Sequence, residues 1–175
     1  MLKIFTTQLV GRLKKIEADE EFNLEDGARL LAQALIGDGH IYLYAPDEFY
    51  GVFVEASSGQ EPLTGVHLLT EENRGSLTSA DRVLVFSRHA DDLEAIALAS
   101  QLAERMIPFV AISSRSRTDG DESLVDVADV FIDLKMERGL VPIEDGSRVG
   151  YPYLICALYV FHNMKILMDE IMEDY

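Results

Sequence analysis

The 175-residue sequence predicts a doubly wound α/β fold: a three-layer αβα sandwich around a five-stranded parallel sheet, in flavodoxin-like order, as a single domain over 1–175. Three observations predict it. Five short runs are almost continuously apolar, as strands covered on both faces must be. Segments of helical period fill the intervals between them, and strands that alternate with helices form a parallel sheet. The length suits one domain that buries most of its apolar side chains.

Taken in order, two helices precede the first strand, over Ile4 to Ala18 and Leu24 to Ile36, and the second stops at Gly37 and Gly39 as glycine-terminated helices do. The five strands are Ile41–Tyr44, Val66–Leu69, Arg82–Phe86, Phe109–Ile112 and Val130–Leu134. Phe49, Val52, Phe53 and Ala56 recur at i, i+3, i+4 and i+7, the spacing of a helix after the first strand. Asp92 to Met106 forms the clearest helix, with Leu93, Ile96, Ala97, Ser100 and Ala103 on related faces and Pro108 beyond its end. Ser123 to Ala128 adds a short helical turn, and a Gly-rich, charged loop runs from Lys135 to Gly150. The final helix, from about Tyr153 to Met172, is apolar around almost its whole circumference, which predicts burial on all sides and a subunit interface.

The net charge of −16 argues against nucleic acid and against anionic membrane surfaces as partners. The longest apolar stretch, Tyr151 to Met168, is broken by Pro152, His162, Asn163 and Lys165 and is too interrupted to span a membrane. The first residues, Met1-Leu-Lys-Ile-Phe-Thr-Thr-Gln, lack the apolar core of a signal peptide. With Cys156 the sole cysteine, no intrachain disulfide can form, and a soluble cytoplasmic protein is expected. His40, His67, His89 and His162 lack metal-ligand spacing, so neither metal nor other cofactor is expected.

Ligands of such sheets bind beyond the carboxyl ends of the strands. Arg74, Arg88, Arg115, Arg117 and Arg148 all fall in the loops at those ends, either as a local positive spot for an anion or as ordinary loop charge. The third strand runs into Ser87-Arg-His-Ala-Asp-Asp-Leu-Glu94 and the fourth ends in Ser113.

The chain resembles the SIS (sugar isomerase) family of phosphosugar-binding proteins over nearly its whole length, most clearly from Ala80 to Ser113. That family's pattern is a strand, then Ser-x-Ser-Gly-x-Thr-x-Glu, a helix, and a strand ending in Ser or Thr. Ser87 and Glu94 fall on matching positions, and Ala128-Asp-Val-Phe-Ile-Asp-Leu134 is similar to the family's Ala-Asp-x-x-Ile strand. The departures are chemical: His89, Ala90 and Asp92 replace the second serine, the glycine and the threonine. Where the family's hydroxyls, backbone N–H groups and helix N-terminus hold phosphate, Asp91 and Asp92 place negative charge. Each repels a phosphate by about 4 kcal/mol at 4 Å and an effective dielectric near 20, more than a charge-assisted hydrogen bond of about 1.5–3 kcal/mol returns. The turn after the first strand, Tyr44-Ala-Pro-Asp-Glu-Phe-Tyr-Gly51, also lacks the family's serines. A phosphate is therefore expected against Ser113, Ser114, Ser116 and Thr118, with Arg115 or Arg117, while Ser87, Arg88 and His89 border the same opening.

Within the family the chain looks most like the phosphoheptose isomerases. By that resemblance Glu55, in Phe53-Val-Glu-Ala-Ser-Ser-Gly59, is the base that moves a proton between C1 and C2. His162, in Val160-Phe-His-Asn-Met164, is the acid/base serving the sugar oxygens. Read from the residues alone, a solvated helix glutamate is the commoner case for Glu55, and a buried, hydrogen-bonded histidine the commoner case for His162. Three readings stand: a sugar-phosphate isomerase, a phosphosugar-sensing module without turnover, and an assembly protein with a degenerate pocket. The resemblance implies a small sugar phosphate as ligand and a homodimer or homotetramer as the assembly.

Overall fold

The computed structural model describes residues 1–115 and 122–175. Helix α1 (Leu2–Ile36) leads into strand β1 (Ile41–Tyr44); a 3-10 turn (Asp47–Phe49) then opens helix α2 (Tyr50–Ser58). Strand β2 (Val66–Leu68), helix α3 (Glu71–Arg74), strand β3 (Arg82–His89), helix α4 (Leu93–Glu104) and strand β4 (Phe109–Ser114) follow. After them come helix α5 (Leu124–Val127), strand β5 (Val130–Asp133), a small hairpin of β6 (Val141–Pro142) and β7 (Arg148–Val149), and helix α6 (Tyr153–Glu173). The five-stranded sheet is wholly parallel in the order β2-β1-β3-β4-β5, with β6 and β7 paired antiparallel beside it. The predicted fold class is therefore the observed one.

Side chains alternate across the sheet and divide the core in two. Leu84, Phe86, Val110 and Ile112 face one layer with Leu24, Leu31, Cys156 and Met164 of α1 and α6. Val83, Val85, Phe109 and Ala111 face the other, with Leu98 and Leu102 of α4. This is the burial on both faces that a continuous apolar strand encodes.

Four expectations need correction. The two N-terminal helices are one, continuous through Leu2–Ile36. The acidic stretch that seemed to separate them stays helical because Glu20 is buried, where its carboxylate meets Lys135 Nζ at 2.7 Å. Gly37 does follow the helix, but at φ −91, so no left-handed cap forms. Gly39 is needed instead for close approach: a Cβ there would lie 1.9 Å from the Ala80 carbonyl oxygen. On α4 the buried face is Ala95, Leu98, Ala99 and Leu102, while Leu93 is 83% exposed. Helix α6 is buried on one side only: Ile155 and Ile166 face outward.

Candidate functional site

The strand order reverses between β1 and β3, and the crevice beyond their carboxyl ends is where such a sheet binds ligands. Here that crevice is bridged by the chain itself. Arg88, at the end of β3, donates from Nε to Glu48 Oε1 at 2.8 Å and from Nη2 to Glu48 Oε2, and its guanidinium also lies 3.7 Å from Asp47. The arginine holds the Glu48 carboxyl below its ordinary range through these hydrogen bonds. Asp47, at φ +52, sits in the left-handed region that aspartate tolerates better than most residues. Beneath the pair, Phe49 stacks on Phe86 with centroids 5.7 Å apart and meets the edge of Tyr153.

Beyond Phe86 the chain stays in the sheet before it turns into α4. The strand continues to His89, which pairs with Ser114 across a bulge, and Ala90 N–H donates to the Ser114 carbonyl at 2.8 Å. Ala90 is wholly buried. Asp92 is the N-cap of α4, its Oδ1 accepting from Ala95 N–H at 2.9 Å, so a carboxylate already occupies one of the N–H groups that open this helix. Ser87 Oγ donates to the His89 carbonyl at 2.8 Å. His89 is exposed and rests edge-on against Tyr153 at 5.9 Å.

At the end of β4 the two serines differ. Ser114 Oγ accepts from Met136 N–H at 3.0 Å. Ser113 is fully buried, and its Oγ has no hydrogen-bond partner among the described residues. Arg115 packs its guanidinium over Phe131 at 5.3 Å and lies 3.5 Å from Asp133. The expected contributions of Ser116, Arg117 and Thr118 lie outside the described residues. Three of the rim arginines are thus engaged by the protein: Arg88 by Glu48, Arg115 by Asp133, and Arg148 by the Gly139 and Leu140 carbonyls just before β6, whereas Arg74 Nε is buried with no partner among the described residues.

A charged cluster that the sequence did not reveal lies beside Arg115. Lys135 Nζ reaches Glu20 Oε1 at 2.7 Å, Asp133 Oδ2 at 3.4 Å and Asp19 Oδ2 at 3.5 Å. Burial would lower the Lys135 pKa; hydrogen bonding to Glu20 and the charge of Asp133 outweigh it and raise the ammonium above its ordinary value. The cluster ties the centre of α1 to the carboxyl ends of β4 and β5. Only the pairing of a charged residue with a remote partner marks it, and a single sequence carries no sign of that.

The two residues that the sequence marks for acid–base work do come together. Glu55 on α2 and His162 on α6 approach to 3.6 Å (Oε1 to Nε2), with side chains 39% and 50% exposed. The helices meet closely because Gly51 lies against Leu154: a Cβ on Gly51 would stand 3.0 Å from Leu154 Cδ2. Gly59 leaves room for the Glu55 carboxylate, which a Cβ there would crowd at 2.8 Å. His162 is accordingly neither buried nor a core histidine. Cys156, earlier on α6, is buried, and burial pushes its thiol up to about 11, so it is a packing residue and not a nucleophile. Among the described residues no group of three or more His, Cys, Asp or Glu is arranged to hold a metal, and no helix is long and apolar enough to cross a membrane.

Sheet order, layering and the terminal helix define this chain as an α/β protein of the sugar-isomerase fold. Phosphoheptose isomerase GmhA from Neisseria gonorrhoeae matches it with a TM-score of 0.67 over 95% of each chain at 15% identity. The NanR protein of Vibrio vulnificus, solved in complex with ManNAc-6P, matches with a TM-score of 0.62 over 99% of this chain and 62% of its own at 12% identity. At such identities the likeness is one of fold. By sequence the chain belongs to the family described as a domain of unknown function, DUF2529, whose model matches residues 1–172. It is 42% identical, over its whole length and 99% of the relative's, to the uncharacterized protein YwjG of Bacillus subtilis (strain 168).

Proposed function

We propose that this protein binds a phosphorylated sugar and interconverts its aldose and ketose forms. One observation carries the reading: the approach of Glu55 and His162 to 3.6 Å from two different helices, both open to solvent. In the reaction the Glu55 carboxylate removes a proton from the carbon beside the carbonyl. His162 protonates the carbonyl oxygen to give an enediol, then accepts the proton of the neighbouring hydroxyl as Glu55 returns its own to the other carbon. No oxidant or cofactor is needed, because the electrons stay within the sugar. At 3.6 Å the pair is too long for a direct hydrogen bond, which leaves each group able to bond a substrate.

The phosphate is assigned to the end of β4. Of the strand-end hydroxyls Ser87, Ser113 and Ser114, only Ser113 lacks a partner among the described residues, and a buried hydroxyl without one costs about 1–3 kcal/mol. Ser116, Arg117 and Thr118 complete the proposed phosphate corner. The proteins of like fold support the ligand class: one is a phosphoheptose isomerase and another was solved with ManNAc-6P. The protein is proposed to act in the cytoplasm as a homodimer or homotetramer.

A second reading, a phosphosugar-sensing or assembly protein without turnover, is favoured by the Arg88–Glu48 bridge and the Asp92 cap, which occupy the family's cradle. Thermal shift with sedoheptulose 7-phosphate and fructose 6-phosphate, together with turnover assays of Glu55→Gln, separates the two. A ligand at 100 times its dissociation constant adds about 2.7 kcal/mol to stability. The isomerase reading expects stabilisation of both proteins and turnover by the wild type alone. Stabilisation without turnover in the wild type selects the second reading, and turnover that survives in Glu55→Gln removes Glu55 from the mechanism.

A further inference from the structure

His40 and His67 stand far apart in the sequence, and the parallel pairing of β1 with β2 brings them side by side. His40 directly precedes β1, and Tyr42 is the register partner of His67. Side chains two residues apart on a strand share a face, so His40, Tyr42 and His67 project from the same side of the sheet. The ring contacts agree. The His40 and His67 centroids lie 5.1 Å apart with the rings at 61°, and Tyr42 backs His67 at 5.3 Å. Strand β2 is an edge of the sheet, and this corner is open to water: the His40 side chain is 51% exposed and His67 is exposed. The His67 ring nitrogens have no hydrogen bond or ion pair among the described residues.

His40 is held from behind by a fixed carboxylate. Asp81 is buried, and its Oδ1 accepts from the His40 backbone N–H at 2.9 Å and lies 3.7 Å from His40 Nδ1. Its Oδ2 accepts from the Thr78 N–H at 2.7 Å and from the Thr78 hydroxyl at 3.0 Å, which keeps the carboxylate from turning away. A carboxylate on the Nδ1 side of an imidazole, with Nε2 left free, is how metal-ligating histidines are oriented. Two imidazoles that take one ion at about 2.0–2.1 Å in tetrahedral geometry have ring centroids about 5 Å apart. The observed separation of His40 and His67 is 5.1 Å.

We propose that His40 and His67 bind one divalent ion of the zinc and copper class between them, as a clip that ties the edge strand β2 to β1. Imidazole nitrogen suits these ions, whereas magnesium and calcium prefer oxygen. His40 Nε2 and one nitrogen of His67 supply two ligands and water supplies the rest, since no group of three or more His, Cys, Asp or Glu is arranged for a metal among the described residues. Strand β2 is only three residues long, so the clip acts where the sheet ladder is shortest. The site lies near the amino end of β1, away from the carboxyl-end crevice, and from the Glu55 and His162 pair. The ion therefore takes no part in the proposed isomerisation, and the inference is independent of that reading.

Isothermal titration of the untagged chain with zinc chloride tests it. One zinc per chain is expected for the wild type, and no binding of magnesium chloride at the same concentration. Either His40→Gln or His67→Gln is expected to weaken zinc binding roughly tenfold or more. Both positions are exposed, so both variants should keep the circular dichroism of the wild type. Zinc should raise the melting temperature of the wild type and of neither variant, because an ion bound only by the folded chain stabilises it. If a variant misfolds, proton NMR of the wild type decides: zinc should shift the imidazole C–H resonances of His40 and His67 together and leave those of His89 and His162 in place. A wild type that binds no zinc overturns the proposal. Zinc that both variants retain, or that only one of them loses, overturns it as well. Binding abolished by His162→Gln would place the ion between α2 and α6 and contradict this site.

Discussion

Glu48 closes the crevice between β1 and β3 by accepting two hydrogen bonds from Arg88 across it. The carboxylate occupies the Arg88 guanidinium, so the chain supplies that cation's anion itself. Only partly screened from solvent, the pair contributes little to stability, within about 1 kcal/mol. Glu48→Gln frees Arg88 without shortening the side chain. It is expected to leave the melting temperature within a few degrees of wild type and to tighten inorganic phosphate binding several-fold, as read by isothermal titration. Unchanged phosphate affinity would show that Arg88 takes no part in anion binding.

Lys135 is the centre of the buried charge cluster, and its backbone is held in the left-handed region at φ +57, with its N–H on Asp133 Oδ1 at 2.8 Å. Lys135→Met removes the cation and leaves Glu20 and Asp133 facing each other, both nearly inaccessible. The expected loss is about 3–5 kcal/mol, measured by urea unfolding. The raised folded pKa of Lys135 fixes the pH sign: its contribution is complete below the unfolded value of about 10.4 and is lost as pH rises through the folded value. The alkaline limb of the wild-type stability curve should therefore flatten in Lys135→Met.

Asp81 contributes to the acid limb. Burial would raise its pKa, but hydrogen bonds from Thr78 N–H, His40 N–H and the Thr78 hydroxyl outweigh this and hold it below the usual value. A depressed carboxylate contributes stability that is present above its unfolded pKa of about 3.9 and lost as pH falls through the folded one. Asp81→Asn should be destabilised at pH 7, with the difference from wild type shrinking below pH 4. A constant difference from pH 7 to pH 2 would contradict the assignment.

The parts of the fold that were legible in the sequence are those whose signal is local. The strands at Ile41–Tyr44 and Phe109–Ile112 announce themselves by continuous apolar residues, and Asp92 by its place before a helical period. The continuity of α1 was not legible, because Glu20 is held in the core by Lys135, far along the chain. The β6–β7 hairpin was missed although Asp145-Gly146 is a hairpin turn signal, and Gly146 does adopt φ +84 there; strands of two residues leave no period to read. Glu55 and His162 were chosen by family resemblance, and neither periodicity nor charge shows that α2 and α6 bring them together. The engagement of Arg88 and Arg115 was equally hidden, since an arginine in a loop looks the same whether it awaits a ligand or already holds a carboxylate.

Solvent exchange at the sugar carbons tests the central claim most directly. The protein is incubated with sedoheptulose 7-phosphate or fructose 6-phosphate in deuterium oxide, and deuterium at C1 and C2 is followed by proton NMR. Acid–base work by Glu55 and His162 predicts deuterium wash-in with the wild type and at least a hundredfold slower wash-in with Glu55→Gln. A wild type that binds these sugars, by thermal shift, yet leaves both carbons unlabelled would contradict it.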